Sequence, residues 1–321
     1  MGKDGLVVVK LCIMNRSRAK RNFAGSWQRI HHQRRNRSTL ELPISRYSDR
    51  LVHYFTHGAT LAYRTYGHGR VQVLAFHGFG RTGEDFRVLE GSLGGLCTIH
   101  AFDLHFHGAS PAYPHRADQP FTPGELASFF TAFADRLGAE RIALLGYSLG
   151  GRIALNLLEQ LPERVERAFL VAPDGLRTRP WYRALAASRP GRWAYKRFIQ
   201  HPGRIHAAMD LLRAFHLMDE RMHRFLKGQT DSRTKRQLVH DVWLSYRLME
   251  PDLGRVADGV RAFSVPVHLV FGRYDRVIPA SLGEHLRTLA PAYVEQRELP
   301  FGHVLIGPEL GGMLAGMLTS D

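Results

Sequence analysis

Three residues of this chain have the types that nucleophilic catalysis needs: Ser148, Asp275 and His303. A serine hydroxyl is a weak nucleophile until a base takes its proton, and the base needs an acid to hold and stabilise it. Ser148 stands in IALLGYSLGGRIAL, residues 142–155, where four apolar residues run into Gly146 and two further glycines follow the serine. A buried strand that stops there and restarts as a helix at Leu149 leaves Ser148 on the corner. That turn strains the backbone, so the positions two residues either side must lack bulk, as Gly146 and Gly150 do. Gly151 lets the helix sit close to the strands, and the helix N-terminus favours the negative charge formed during attack.

The acid and the base are expected after later strands. Asp275, in VHLVFGRYDRVIP, follows the apolar run 267–272 by three residues, and His303 follows a strand expected near 294–299. Asp174, in VAPDGL after the preceding run, is the rival acid. Both fit the order serine, acid, histidine, and Asp275 is preferred because it follows the later strand. The oxyanion needs two backbone N–H donors. Leu149, just after the nucleophile, supplies one. Phe79, in FHGFG after the third strand, is the expected second, with Gly78 and its neighbour Gly80 allowing close approach. His77 and Tyr147, which lie beside these donors in sequence, are candidate substrate contacts.

The elements that must carry these residues alternate. VQVLAF (71–76), CTIHAF (97–102), RIALLG (141–146), RAFLVA (167–172) and VHLVFG (267–272) are short, almost continuously apolar runs. Such strands are covered on both faces, which indicates a parallel sheet. LVHYF and TLAYRTY precede them as further strands. Helical patterns lie between the runs, and TPGELASFFTAFADRLG is the clearest. Thr122 caps, Pro123 fits the first turn and Glu125 completes a capping box. Leu126, Phe129, Phe130, Phe133 and Leu137 form one stripe. The expected fold is α/β, a mostly parallel, doubly wound sheet of about eight strands with a helical cap inserted after strand 6. The cap is expected over residues 177–260. There the sequence reads as three amphipathic helices with no strand, RPWYRALAASRPGRWAYKRFIQ, RIHAAMDLLRAFHLMDERMHRFLKG and RTKRQLVHDVWLSYRLME. The core then comprises residues 49–176 and 261–321, and residues 1–48, Arg-rich and without a sustained period, read as a basic disordered tail.

The net charge of +15 over 321 residues is uneven. Residues 1–50 carry 12 basic against 3 acidic side chains, residues 176–255 carry 17 against 7, and the remainder is mildly acidic. Without interleaved aromatic motifs in the tail, nucleic acid is not the expected partner. The cap excess suits a merely solvated helical face, steering of an anionic substrate, or peripheral contact with an anionic membrane, since Trp181, Tyr182, Trp193, Tyr195 and Phe198 lie among arginines and Lys196. Cys12 and Cys97 form no disulfide or zinc pattern. No apolar run reaches the ~18 residues of a spanning helix, and GLVVVKLCIM makes a poor signal peptide. A reducing, cytoplasmic setting is the expectation, with no metal and no organic cofactor.

Taken together, these motifs resemble the α/β-hydrolase superfamily, the branch of esterases, lipases, C–C hydrolases and their relatives. The resemblance runs from about residue 51 to 319. Beyond the corner at Ser148 it includes HGFG, Gly272 with Asp275 and Pro279, the terminal Gly302-His303 with Glu309 downstream, and DLHFHGAS (103–110). The last looks like the family segment D-L-R-G-x-G-x-S, with His105 and Phe106 in place of Arg and Gly, so that loop is expected to be shaped differently. A serine nucleophile argues against haloalkane dehalogenases and epoxide hydrolases. GYSLGGRIAL is also similar to the corresponding segment of the menaquinone-pathway synthase, where an arginine matching Arg152 helps hold an anionic substrate. The resemblance therefore implies a serine hydrolase acting on an ester or thioester. The alternatives are a lyase or C–C hydrolase acting on an anionic substrate, and a ligand receptor on a hydrolase scaffold.

Overall fold

A computed structural model describes residues 51–177, 188–218 and 220–319. The tail over 1–48 and the aromatic pair Trp181 and Tyr182 lie outside the described residues. Eight strands form one sheet in the order β1-β2-β4-β3-β5-β6-β7-β8: β1 Val52–Thr56, β2 Ala59–Tyr66, β3 Val71–Phe76, β4 Cys97–Asp103, β5 Ile142–Tyr147, β6 Val165–Val171, β7 Val267–Gly272 and β8 Val294–Leu299. β1 and β2 form a hairpin, and both residues of its turn, His57 and Gly58, have positive φ, 48° and 73°. That is the turn whose twist matches paired strands. β2 meets β4 antiparallel, and every later pairing is parallel. Every residue of β5 and β7 is buried, as strands covered on both faces require.

Parallel strands end at one edge. Phe76 of β3 pairs with Gly146 of β5, Tyr147 of β5 with Val171 of β6, and Gly272 of β7 with Leu299 of β8. The loops holding residues 77–80, 148, 172–175, 273–278 and 300–303 therefore open along the same carboxyl edge, where open α/β sheets place their sites.

Helices α1 Glu90–Leu93, α2 Pro123–Arg136 and α3 Leu149–Gln160 punctuate the first half. In α2, Thr122 Oγ1 accepts the Glu125 N–H at 3.1 Å while Glu125 Oε2 accepts the Thr122 N–H at 2.7 Å, the capping box expected from TPGE. One such cap stabilises a helix by about 1 kcal/mol. The inward stripe of α2 sets Phe130 and Phe133 edge-on against Phe102 at 5.2 and 4.9 Å.

Between β6 and β7 lie α4 Arg189–Gln200, α5 Gly203–Ala214, α6 Glu220–Thr230, α7 Arg233–Ser245 and α8 Leu253–Ala262, with no strand among the described residues. The run 204–228, expected as one helix, is two. At its break His216 takes φ 57°, its N–H bonds to Arg213 O at 2.9 Å, and Leu217 N–H bonds to Leu212 O at 2.9 Å. This is the helix-ending motif that glycine usually serves. A histidine there gives no pattern signal. α8 belongs to the layer beside α3, with Val256, Ala257 and Val260 fully buried and Gly259 too close to Pro162 for a side chain. α9 Glu284–Leu289 and α10 Pro308–Thr319 complete the chain. Among the described residues no helix is long and apolar enough to cross a membrane.

Candidate active site

Ser148 occupies the corner between β5 and α3 with φ 53° and ψ −113°. A non-glycine residue held there costs on the order of 1–3 kcal/mol and persists only where its surroundings over-determine it. Three backbone bonds do so. Ser148 N–H donates to Val171 O at 3.0 Å, and Ser148 O accepts from Gly151 at 2.9 Å and Asp174 at 2.9 Å. The glycines are steric requirements. A Cβ on Gly146 would stand 2.6 Å from Gly150 O, one on Gly151 would stand 2.5 Å from Pro173 Cα, and one on Gly150 would run into the Phe76 carbonyl.

The corner brings three distant side chains into line. His303 Nε2 lies 3.2 Å from Ser148 Oγ, and His303 Nδ1 lies 2.7 Å from Asp275 Oδ2. Asp275 Oδ1 accepts the N–H groups of Val277 at 2.7 Å and Ile278 at 3.0 Å. The carboxylate is thus fixed by its own turn, with its second oxygen left for the imidazole. An acceptor at Nδ1 obliges that nitrogen to carry the proton, which makes Nε2 an acceptor facing the serine hydroxyl. The serine is fully buried, and the histidine side chain is 14% exposed.

The loop after β3 lies against the serine, because a Cβ on Gly78 would stand 3.4 Å from Ser148 Cβ. Phe79 is buried in this loop. Leu149 is the first residue of α3, so its N–H has no acceptor within the helix. Two histidines tie the loop to the one after β4. His77 Nε2 accepts the Leu104 N–H at 2.9 Å, and His107 Nε2 accepts the Gly80 N–H at 2.9 Å. Each holds its proton on Nδ1, facing Gly78 O at 2.6 Å and His105 O at 3.0 Å respectively. Burial pushes His77 down to about 4 and His107 to about 3, their mutual proximity adding to the latter. Both therefore stay neutral, as their acceptor roles require.

Several expected contacts have other partners. His77 spends both ring nitrogens on backbone and is fully buried, so it fastens the loop and does not face a substrate. The Tyr147 hydroxyl donates to His303 O at 2.8 Å, and its ring lies 5.5 Å from the imidazole, so it braces the histidine. Arg152 Nη2 stands 2.6 Å from Asp174 Oδ2, and its guanidinium lies over Trp243 at 5.3 Å. Its charge is met within the protein, and the rival acid Asp174 is engaged there and not on His303. Sequence reasoning missed His107, whose signal is a His-Gly pair, His107-Gly108, beyond the end of β4, like His77-Gly78 beyond β3. In the segment 103–110, Phe106 takes φ 70°, a glycine-like value at the position where the family segment has Gly, while His105 bonds the Tyr246 hydroxyl at 3.0 Å and stacks on Phe121 at 4.4 Å. Asp103 anchors the segment by accepting the N–H groups of Gly83 at 2.7 Å and Ala109 at 2.9 Å. Among the described residues no group of three side chains is arranged to hold a metal ion.

The family model described as the alpha/beta hydrolase fold matches residues 72–309. The dihydrolipoyllysine-residue acetyltransferase component of the acetoin cleaving system of Cupriavidus necator is 34% identical over 118 residues, 37% of this chain and 30% of that protein. The chain spans about a third of the length of this and several other curated relatives that it matches. The uncharacterized hydrolase YugF of Bacillus subtilis is 24% identical over 251 residues, 77% of this chain and 89% of that one. The solved structure of a thermophilic esterase from Thermogutta terrifontis, with malate bound, superposes with a TM-score of 0.56 at 19% identity over 84% of this chain and 96% of that one, a likeness of fold.

Proposed function

The chain belongs to the alpha/beta hydrolase family, and from that membership we propose that it is a serine hydrolase that cleaves a carboxylic ester or thioester through an acyl-enzyme. The observation that carries this reading is the continuous line Ser148 Oγ to His303 Nε2 at 3.2 Å and His303 Nδ1 to Asp275 Oδ2 at 2.7 Å. Ser148 Oγ attacks the carbonyl carbon while His303 Nε2 takes its proton. Asp275, held by Val277 and Ile278, orients the imidazole and stabilises its cation. The tetrahedral oxyanion forms between the N–H groups of Leu149 and Phe79, each worth about 3 kcal/mol of barrier. The leaving group departs with the proton from His303. Water then enters, gives a proton to His303, and attacks the acyl carbon to release the acid and regenerate Ser148. The positive φ of Ser148 favours this chemistry by holding the hydroxyl clear of its own helix.

The pairing of Arg152 with Asp174 favours a neutral acyl ester over an anionic substrate. A panel of p-nitrophenyl esters graded in chain length and charge tests the proposal. Multiple turnovers with a neutral ester, preceded by a burst of nitrophenol, are expected. Absence of acyl release across the panel, or release of pyruvate from an anionic substrate, would overturn it.

A further inference from the structure

Among the described residues eleven large hydrophobic side chains are exposed, and five of them fall between positions 193 and 217: Trp193 at 66%, Ile205 at 42%, Leu211 at 58%, Phe215 at 66% and Leu217 at 72%. Scattered singly they would need no explanation; gathered on two consecutive helices and the turn that ends the second, they do. α4 keeps its inner face for α7, where Tyr195 stacks on His240 at 5.6 Å and Arg236 Nε donates to Ile199 O at 3.1 Å. Its outer face carries Trp193. The helix-surface neighbours of Trp193, three and four positions away, include exposed Arg189, Lys196 and Arg197. α5 turns Met209 inward and spends Asp210 on His223 at 2.6 Å and Lys227 at 2.8 Å. Its exposed stripe runs Arg204, Ala208, Leu211, Phe215, spaced four, three and four residues apart.

The charge is equally one-sided. Residues 189–218 hold six arginines and lysines against the single acid Asp210, and that acid bonds to His223 and Lys227 of α6. Arg213 is met by Glu220 at 3.2 Å, and a face with exposed aliphatic and aromatic side chains and the remaining excess of cations beside them repels a second copy of itself. It is complementary to a surface that is negatively charged outside and apolar just beneath. Each helix has 12 residues, short of the ~20 that span a bilayer, so both would lie in the interfacial plane.

We propose that the outer faces of α4 and α5 dock this protein on an anionic phospholipid bilayer. Trp193, Leu211, Phe215 and Leu217 enter the boundary between headgroups and acyl chains, and Arg189, Lys196, Arg197 and Arg204 meet the lipid phosphates. This stands independently of the chemistry assigned to Ser148.

The test is co-sedimentation of the full chain with vesicles of phosphatidylglycerol and phosphatidylcholine, against vesicles of phosphatidylcholine alone. Binding is expected to the anionic vesicles only, weakening as salt rises. Arg197→Ala and Arg204→Ala should each lower the partition coefficient about five-fold. Leu211→Ser with Phe215→Ser, both exposed positions, should abolish binding while melting temperature and labelling of the serine stay at wild-type values. A blue shift of fluorescence on vesicle addition should be reduced in Trp193→Phe. Equal binding to neutral vesicles, or binding that survives the Leu211 and Phe215 changes, would overturn the proposal. So would a dimer in solution that those changes dissociate, because the face would then belong to a second copy.

Discussion

His107 Nε2 accepts the N–H of Gly80 at 2.9 Å, across two loops that are 27 residues apart in sequence. The peptide that follows Phe79 is thereby held by a side chain that never reaches the serine, and Phe79 is the residue whose own N–H is proposed to meet the oxyanion. His77 returns the contact by accepting from Leu104, so two neutral imidazoles clasp the loop from both sides.

Replacing His107 with phenylalanine keeps the buried ring and removes the acceptor. The expected result is a fall in kcat of about 10- to 100-fold with KM nearly unchanged, bounded by the loss of one oxyanion donor, about 3 kcal/mol. His107→Gln, whose amide oxygen can accept the Gly80 N–H, should recover part of the loss. If kcat keeps its wild-type value in His107→Phe while only the melting temperature falls, the clasp is structural alone.

Ser148→Ala should lower turnover at least ~1,000-fold with little change in stability, because the strained corner is held by backbone bonds that alanine retains. A fluorophosphonate probe should label the wild type and leave the mutant unlabelled. Labelling of the mutant would remove Ser148 from the role of nucleophile.

The two aspartates separate cleanly. Asp275→Asn should cost up to ~10,000-fold in kcat, since the imidazole loses the acceptor that fixes its tautomer. Asp174→Asn leaves Arg152 without its ion-pair partner, so the melting temperature should fall while turnover is affected far less. Steady-state kinetics of both variants, with thermal melts, decide the matter. The reverse pattern would place the catalytic acid after β6.

Acid stability follows from the histidines. Burial lowers His77 and His100 to about 4 and His105 and His107 to about 3. In the unfolded chain such groups titrate near 6.5. Above that value both states are neutral and the groups add no pH dependence. Below it the unfolded chain binds protons that the folded one refuses, so stability falls as pH drops from about 6.5 toward 4, by about 1.4 kcal/mol per pH unit for each group. Melts from pH 8 to 4.5 should be flat and then steep. In His100→Gln, at the position that now bonds Gln72 at 2.9 Å, the slope should be shallower by one proton. A profile that stays level below pH 6 would contradict the neutral clasp.

The strands, their burial on both faces, the capping box at Thr122 and the glycine corner around Ser148 were legible in the sequence, because each is written in residues a few positions apart. Period and turn chemistry report local geometry, and the order serine, acid, histidine follows once the strands are placed. The partners were another matter. Asp174 and Asp275 each follow a buried strand, and only the assembled sheet sets one against Arg152 and the other against His303. His77, Tyr147 and Arg152 have types that suit a substrate, yet all three are engaged by groups that the fold carries to them, and the His303 carbonyl that Tyr147 meets lies 156 residues along the chain. The helix break at His216 left no mark because a histidine fills the left-handed position where glycine would have announced it. Local pattern encodes which face of an element is buried. Which side chain meets which across the carboxyl edge depends on strand order, and strand order is settled by long-range packing that no short window of sequence contains.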